Sequence, residues 1–248
     1  MTVRSRIAML AAEFLGTAVL ATVAINVSRS QIGIGYFVAI GVGLALALLV
    51  LAFGKTSGAH LNPAVTIGMW TLRKIQTVQA IAYIAMQMLG GLAAWQLANY
   101  FVGSEIRSIA GGEFDWKVLV AEAVGTFVFT FMVAAAIYQN LEDGRKAALI
   151  GGGLFLGIVT ASLASNAVLN PAIALGNQSW SRAYIFGPII GGVIGFNLYV
   201  LLFAPVGSLV PARAKVSTTT TTVSTTVKKP AAKKTVTRKK TTTTRKKK

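Results

Sequence analysis

Long apolar runs dominate the chain, and their lengths predict membrane-spanning helices. A bilayer core of about 30 Å needs roughly 20 helical residues at about 1.5 Å each. Six runs meet this requirement: about Ile7–Val27, Tyr36–Phe53, Thr77–Tyr100, Val118–Tyr138, Ala147–Leu163 and Tyr184–Phe203. We take the first as a retained span rather than a signal peptide, because it carries Glu13, exceeds a typical signal-peptide core and opens a pattern that recurs later.

Two shorter apolar segments follow the triplets Asn62-Pro63-Ala64 and Asn170-Pro171-Ala172. Each triplet opens with asparagine, a favoured N-cap, and places proline at the first helical position. The segments end near Leu72 and Leu175, so each has ten residues or fewer and can cross about half of a bilayer. We therefore predict two re-entrant half-helices.

The chain contains an internal repeat. The segment Ala12-Glu13-Phe14-Leu15-Gly16-Thr17 recurs as Ala121-Glu122-Ala123-Val124-Gly125-Thr126 at an offset of 109 residues, and the Asn-Pro-Ala triplet recurs at an offset of 108. Residues 1–105 and 106–205 are thus predicted to be two repeats, each with three spans and one half-helix. Three is an odd number, so the repeats are inverted and the half-helix N-termini are expected to meet near the bilayer midplane.

Composition agrees with a membrane protein and changes the meaning of the net charge. The chain is 54% hydrophobic and only 12% charged, although its net charge is +17. Thirteen of the 24 basic residues lie between Arg213 and Lys248, whereas residues 1–212 hold 11 basic and 7 acidic residues. Basic residues near the span ends place both termini in the cytoplasm, and we expect a multi-pass protein of the plasma membrane.

The basic tail, residues 206–248, is rich in threonine and lysine and is predicted to be disordered, because it has too few apolar residues to form a core. Attachment to anionic lipid is the favoured role, since juxtamembrane basic residues are attracted to such headgroups. Nucleic-acid binding by counterion release is the less favoured alternative, and an acidic partner or a topology signal remains open.

Catalytic and metal chemistry have little basis in this sequence. The chain has no cysteine, which excludes disulfides, thiolate metal sites and cysteine nucleophiles. It has one histidine, His60, which leaves little scope for a metal site. We expect no catalysis, no metal and no cofactor.

The residues around the first triplet carry a family resemblance. Ser57-Gly58-Ala59-His60-Leu61-Asn62-Pro63-Ala64-Val65-Thr66 matches the first signature of the aquaporins, or major intrinsic proteins, throughout, and Tyr83, Gln87, Tyr184 and Gly187-Pro188 also fit. The chain resembles this family over about residues 7–205. The resemblance implies an all-α membrane protein with six transmembrane helices and two half-helices, assembled as a homotetramer in the bilayer.

The function that the resemblance implies is passive permeation of water or small uncharged solutes such as glycerol, urea, ammonia or hydrogen peroxide. The alternative is a closed or weakly conducting member with a scaffolding or membrane-contact role. In the family, Asn62 and Asn170 offer an amide N–H to the lumen as well as capping their helices. Two half-helix dipoles facing one point are also expected to oppose cations and protons.

Two carboxylates and one imidazole are candidates for further roles. Glu13 and Glu122 lie inside spans, where an ionisable residue is a functional candidate. The resemblance favours a scaffold role, in which each carboxylate accepts from backbone amides of a re-entrant loop, over a proton relay in a coupled transporter. His60 is expected near the pore mouth as gate, lining or packing.

The family's outer constriction has four residues, and here they correspond to Val42, Ile158, Ala167 and Ile173. Ile173 replaces the arginine that usually follows the second triplet, so this ring is entirely aliphatic. Without a fixed cation and its donors, the ring is expected either to widen and select weakly among neutral solutes, or to lose water and close.

Overall fold

The long helices of the structure match the predicted spans. A computed structural model of the chain describes residues 2–30, 35–109 and 113–205. Six of its helices are long and apolar enough to cross a membrane: α1 (Val3–Arg29), α2 (Gly35–Phe53), α4 (Thr77–Val102), α5 (Trp116–Tyr138), α6 (Asp143–Ala161) and α8 (Arg182–Phe203). The prediction of six spans in an all-α membrane protein is therefore confirmed.

Helix α6 begins four residues before the predicted apolar run. Glu142 is its N-cap residue and Asp143 lies in its first turn. An acidic side chain is stabilised near the positive end of the helix dipole, so the helix extends beyond its apolar part into polar surroundings. Hydropathy alone could not place this boundary, because the first turn is hydrophilic.

Two short helices follow the Asn-Pro-Ala triplets: α3 (Pro63–Thr71) and α7 (Pro171–Gly176). In each, asparagine is the N-cap and proline begins the helix. The Asn62 side-chain oxygen accepts from the Ala64 N–H at 2.8 Å, and that of Asn170 accepts from the Ala172 N–H at 2.9 Å. These bonds satisfy backbone donors that the start of a helix leaves without an intrahelical partner.

The elements pack in a pattern that is the same in both halves. Helix α1 packs against α4 and α2, and correspondingly α5 packs against α8 and α6. Each half-helix contacts the last span of the other half, α3 against α8 and α7 against α4. The two halves are therefore interlocked rather than side by side.

Contacts at one end of the bundle, called here the terminal end, join α1 to α4 and α2 to α6. The Gln79 amide contacts the Met9 sulfur at the start of α4 and α1. Lys55, which follows α2, pairs with Asp143 of α6 at 2.7 Å. The hydrogen bond and the charge of Asp143 raise the pKa of Lys55, so this exposed pair stays ionised at neutral pH.

Large apolar side chains cover the outside of the bundle. Leu44, Leu48 and Leu51 of α2 are each more than half exposed, as are Ile81 of α4 and Leu201 of α8. A water-soluble protein rarely exposes so much contiguous apolar surface, whereas lipid tails accept it without cost. This surface agrees with an integral membrane protein. The predicted basic tail, residues 206–248, lies outside the described residues.

Candidate permeation pathway

The loop before α3 is organised around the buried carboxylate of Glu13. Its Oε1 accepts from the Ser57 hydroxyl at 2.6 Å and the His60 N–H at 3.0 Å. Its Oε2 accepts from the Leu61 N–H at 2.8 Å and the Gln87 amide at 2.7 Å. Four donors thus converge on one side chain that is fully buried, so its polar atoms have the hydrogen bonds that burial requires.

Glu122 organises the loop before α7 in the same way. Its Oε1 accepts from the Ser165 hydroxyl and the Val168 N–H, both at 2.9 Å, and its Oε2 accepts from the Leu169 N–H at 2.7 Å. This carboxylate has three donors where Glu13 has four. All of these bonds except the one from Gln87 of α4 join a span to its own re-entrant loop, as a scaffold role requires.

The two loops share a strained backbone. Ala59 and Leu61 both have φ of 49°, and Ala167 and Leu169 have φ of 49° and 53°. Non-glycine residues in this left-handed region cost roughly 1–2 kcal/mol each, so the conformation needs strong support. The glutamate bonds to the Leu61 and Leu169 amides supply part of it.

The two half-helices meet through their capping asparagines. The Asn62 side-chain amide donates to the Leu169 carbonyl, and the Asn170 amide donates to the Leu61 carbonyl, both at 2.9 Å. Each amide has two protons, so this exchange uses one and leaves the other for a further acceptor. The N-termini of α3 and α7 therefore face a common point.

Two cavities lie along the axis of the bundle. The larger, called here the entrance cavity, has a volume of about 170 Å³. Its lining residues are Leu46, Gly58, Ala59, His60, Val65, Met69, Phe129, Val133, Ile137, Lys146 and Ile150. Because Lys146 belongs to the first turn of α6, this cavity lies toward the terminal end.

The smaller, the asparagine cavity, offers only about 10 Å³, which is close to the least space that holds one water molecule. Its lining residues are Leu20, Val42, Leu46, His60, Asn62, Phe129, Leu154, Val168, Asn170 and Ile173. The cavities share Leu46, His60 and Phe129, so they follow one another along a single path.

Helical periodicity explains how the spans line this path. On α6 the lining residues are Lys146, Ile150 and Leu154, each four residues from the next. Residues four apart lie on the same face of an α-helix. The lining stripe of α6 thus continues from the entrance cavity into the asparagine cavity, and Ile158 is the next residue of that stripe.

The four residues assigned to the outer ring are all buried, and their grouping as one ring stays a prediction. Val42 and Ile173 border the asparagine cavity together with both asparagines. Ile158 and Ala167 line neither cavity. No charged side chain lies among the residues of the asparagine cavity, so its polar groups there are the two asparagines and His60.

His60 borders both cavities and is also packed. Its Nδ1 lies 3.1 Å from the Thr66 hydroxyl, and its ring meets the Tyr83 ring edge-on at 5.4 Å between centroids. A side chain held by two neighbours presents a fixed polar edge to the path. Both packing and lining therefore describe this residue.

Three residues of the site had no role assigned from the sequence: Phe129, Ser165 and Ser57, which was noted only as part of the first signature. Ser57 and Ser165 bind the glutamates, and their recurrence at an offset of 108 is a signal that was present in the repeat. Phe129 comes seven residues after Glu122, two helical turns along the same face. That spacing places it toward the interior, but only the structure places it against both cavities.

Among the described residues, no group of three or more histidine, aspartate or glutamate side chains is arranged to hold a metal ion. The electrostatics of the path come instead from the helices. Each half-helix places a partial positive charge at its N-terminus, and both N-termini border the asparagine cavity through Asn62 and Asn170.

Known proteins resemble this chain over most of its length. The family model described as Major intrinsic protein matches residues 2–199. Aquaporin Z of Photorhabdus laumondii is 32% identical over 224 residues, covering 79% of this chain and 97% of that protein. Aquaporin AqpM of Methanothermobacter marburgensis is 31% identical over 174 residues, covering 62% of this chain and 71% of that protein.

A solved structure gives the same architecture. The aquaglyceroporin from Plasmodium falciparum superposes with a TM-score of 0.65, and the match covers 81% of this chain and 96% of that chain. At 20% sequence identity the likeness concerns the fold.

Proposed function

We infer the function of this chain from the family to which it belongs, the major intrinsic proteins. Its central path passively carries water and other uncharged solutes of similar size. At the coarser level the family assigns a membrane channel for water or small solutes and not an enzyme. The finer proposal concerns which solutes pass. Ammonia and hydrogen peroxide are similar to water in size, so they belong to the proposed class.

The observation that carries the proposal is the asparagine cavity. Asn62 and Asn170 border a space with room for about one water molecule, and each amide has a proton that the other half-helix does not use. A water molecule there can accept from both amides. Its own protons then have no continuous chain of acceptors to follow, which opposes proton hopping while single molecules pass.

Ile173 contributes bulk but no charge to the wall of the asparagine cavity. It takes the position after the second triplet and borders the asparagine cavity with an aliphatic side chain. Exclusion of cations then depends on the two half-helix dipoles. Solutes as large as glycerol or urea are expected to pass much more slowly than water, because the asparagine cavity is so small.

Stopped-flow light scattering on proteoliposomes tests this proposal. We expect the protein to raise water permeability above that of protein-free vesicles and to carry glycerol at least about tenfold more slowly, a barrier difference of about 1.4 kcal/mol. Ile173→Arg should lower water flux, because a longer side chain enters the cavity, and Ile173→Val should not. Folded protein without water flux would contradict the proposal.

A second candidate, a closed or weakly conducting protein with a scaffolding role, is favoured by the same small cavity. A space of about 10 Å³ bordered mainly by apolar residues is prone to lose its water. The absence of flux for water and glycerol in folded protein would put this candidate first. A pull-down with the basic tail, residues 206–248, would then search for its partner.

Lys146 is the one charged residue lining the two cavities in the described part of the chain. Its positive charge opposes the entry of cations at the entrance cavity. Lys146→Glu is expected to raise potassium leak up to about tenfold, the effect of about 1.4 kcal/mol. A potential-sensitive dye in proteoliposomes measures the leak, and Lys117→Glu, at an exposed lysine, is the control; equal leaks in both variants would contradict the prediction.

The assembly and placement belong to the proposal as well. We propose a homotetramer in the plasma membrane, with one path in each subunit and both termini in the cytoplasm. The excess of basic residues at the predicted inner ends of the spans supports this orientation. The basic tail is proposed to bind anionic lipid.

A further inference from the structure

The volume open to water along the path falls abruptly where its two cavities meet. The space drops from about 170 Å³ in the entrance cavity to about 10 Å³ in the asparagine cavity. Leu46, His60 and Phe129 border both spaces and therefore form the junction. Phe129 is the one phenylalanine, tyrosine or tryptophan among the lining residues of the two cavities in the described part of the chain.

We propose that Phe129 determines the size limit of the path, so that this junction, rather than the aliphatic ring, excludes solutes larger than water. The inference rests on the proposed function, since it assumes a conducting path. It assigns specificity to a side chain of α5 outside the two triplets and outside the four ring positions.

The helical register of α5 places Phe129 at the inner end of a lining stripe. Phe129, Val133 and Ile137 are spaced four residues apart, and all three line the entrance cavity. Of the three, only Phe129 also lines the asparagine cavity. The stripe thus proceeds from the smaller side chains at the entrance to the largest one at the junction.

The backbone at Phe129 is held close to α6 by two glycines. A Cβ added to Gly157 would lie 3.2 Å from the Phe129 Cβ, and one added to Gly153 would lie 3.3 Å from the Phe129 carbonyl oxygen. Helices that approach this closely cannot separate without breaking the packing between them. Widening the junction by moving α5 is therefore unfavourable, and the size of the residue at position 129 sets the opening.

The chemistry of the junction also favours selection by size. Leu46 and Phe129 offer no hydrogen bonds, so His60 is the polar member of the three. A water molecule needs few partners while it passes, whereas a polyol such as glycerol must leave several hydroxyl groups without hydrogen bonds against an apolar wall. Removing the ring at position 129 both enlarges the space and admits water alongside a larger solute.

The test compares Phe129→Ala and Phe129→Leu with wild type in proteoliposomes, with Phe196→Leu as the matched control. Phe196 is fully buried, and it lines neither cavity. We expect glycerol permeability to rise about tenfold in Phe129→Ala, which corresponds to a barrier lower by about 1.4 kcal/mol. Phe129→Leu should rise less, and Phe196→Leu should not change. Thermal unfolding in detergent confirms that each variant is folded, and Phe129→Leu carries the test if Phe129→Ala does not fold.

The outcomes separate this inference from the proposed function. If wild type conducts water and glycerol flux stays unchanged in folded Phe129→Leu and Phe129→Ala, the inference is overturned and the proposed function stands. If wild type conducts nothing and a Phe129 variant conducts, the junction is the barrier and the proposed function gives way to the closed candidate. If no folded variant conducts any solute, both fail.

Discussion

Glu13→Gln is expected to lower the free energy of unfolding by about 2–6 kcal/mol, since a buried donor left without its acceptor costs about 1–3 kcal/mol. Four donors converge on the Glu13 carboxylate, two on each oxygen. Glutamine has one acceptor oxygen, so its amide nitrogen must face two of these donors. The measurement is thermal unfolding in detergent, together with the yield of monodisperse protein.

Glu122→Gln should have a smaller effect than Glu13→Gln, because one Glu122 oxygen has a single donor, the Leu169 N–H. Glutamine can keep its acceptor oxygen at the other position and leaves one donor without a partner. Glu105→Gln makes the same change of a carboxyl group to an amide at an exposed position and serves as the control. Equal stability of all three variants would contradict the scaffold role.

The same variants decide between a scaffold and a proton relay. A relay predicts that solute flux depends on a pH gradient and that this dependence disappears in Glu13→Gln or Glu122→Gln while the fold persists. The scaffold predicts flux that is insensitive to the gradient and variants that fail to fold well. Both carboxylates accept hydrogen bonds from backbone N–H groups of their own loops, which supports the scaffold.

Gly91→Ala is expected to lower the free energy of unfolding by about 3 kcal/mol, the upper range for overpacking a core. A Cβ on Gly91 of α4 would overlap the Ala172 carbonyl oxygen of α7. The position of the added Cβ is fixed by the backbone of α4 and the oxygen belongs to the backbone of α7, so no side-chain rotation relieves the overlap. The half-helix that carries Asn170 would have to move, and we expect water flux to fall together with stability.

The inverted repeat supplies a graded comparison for this variant. A Cβ on Gly192 of α8 would lie 2.8 Å from the Ala64 carbonyl oxygen of α3, a milder overlap, so Gly192→Ala should cost less. Gly152 is exposed and a Cβ there meets nothing within 4 Å, so Gly152→Ala should be neutral or slightly stabilising. The prediction is wrong if Gly91→Ala is as stable as Gly152→Ala.

The local features of the fold could be predicted from the sequence because they depend on neighbouring residues. Apolar runs of about 20 residues determine where spans form, and Asn-Pro at positions 62–63 and 170–171 begins the half-helices as predicted. The predicted start of α6 lies four residues beyond its actual start at Asp143. The reason is that the N-cap residue Glu142 and Asp143 of the first turn are hydrophilic.

The arrangement inside the path could be predicted only in part. The repeat led to the expectation that the half-helix N-termini meet, and the structure shows the bonds from Asn62 to the Leu169 carbonyl and from Asn170 to the Leu61 carbonyl. Position counting assigned Ile158 and Ile173 to one ring, which stays a prediction, but it gave no sign that Ile173 lines the asparagine cavity beside both asparagines. Counting positions gives register along a helix and not the direction or distance of a neighbouring helix.

By itself, the sequence determined the six spans, the two half-helices and the isoleucine that follows the second triplet, because each depends on residue types within one short segment. Only the tertiary structure decided that Phe129 borders both cavities and that the space beside the asparagines holds about one water molecule. Those properties depend on how closely α2, α5 and α6 approach one another. Interhelical distances are set by close packing of side chains from distant parts of the chain, which no local pattern encodes.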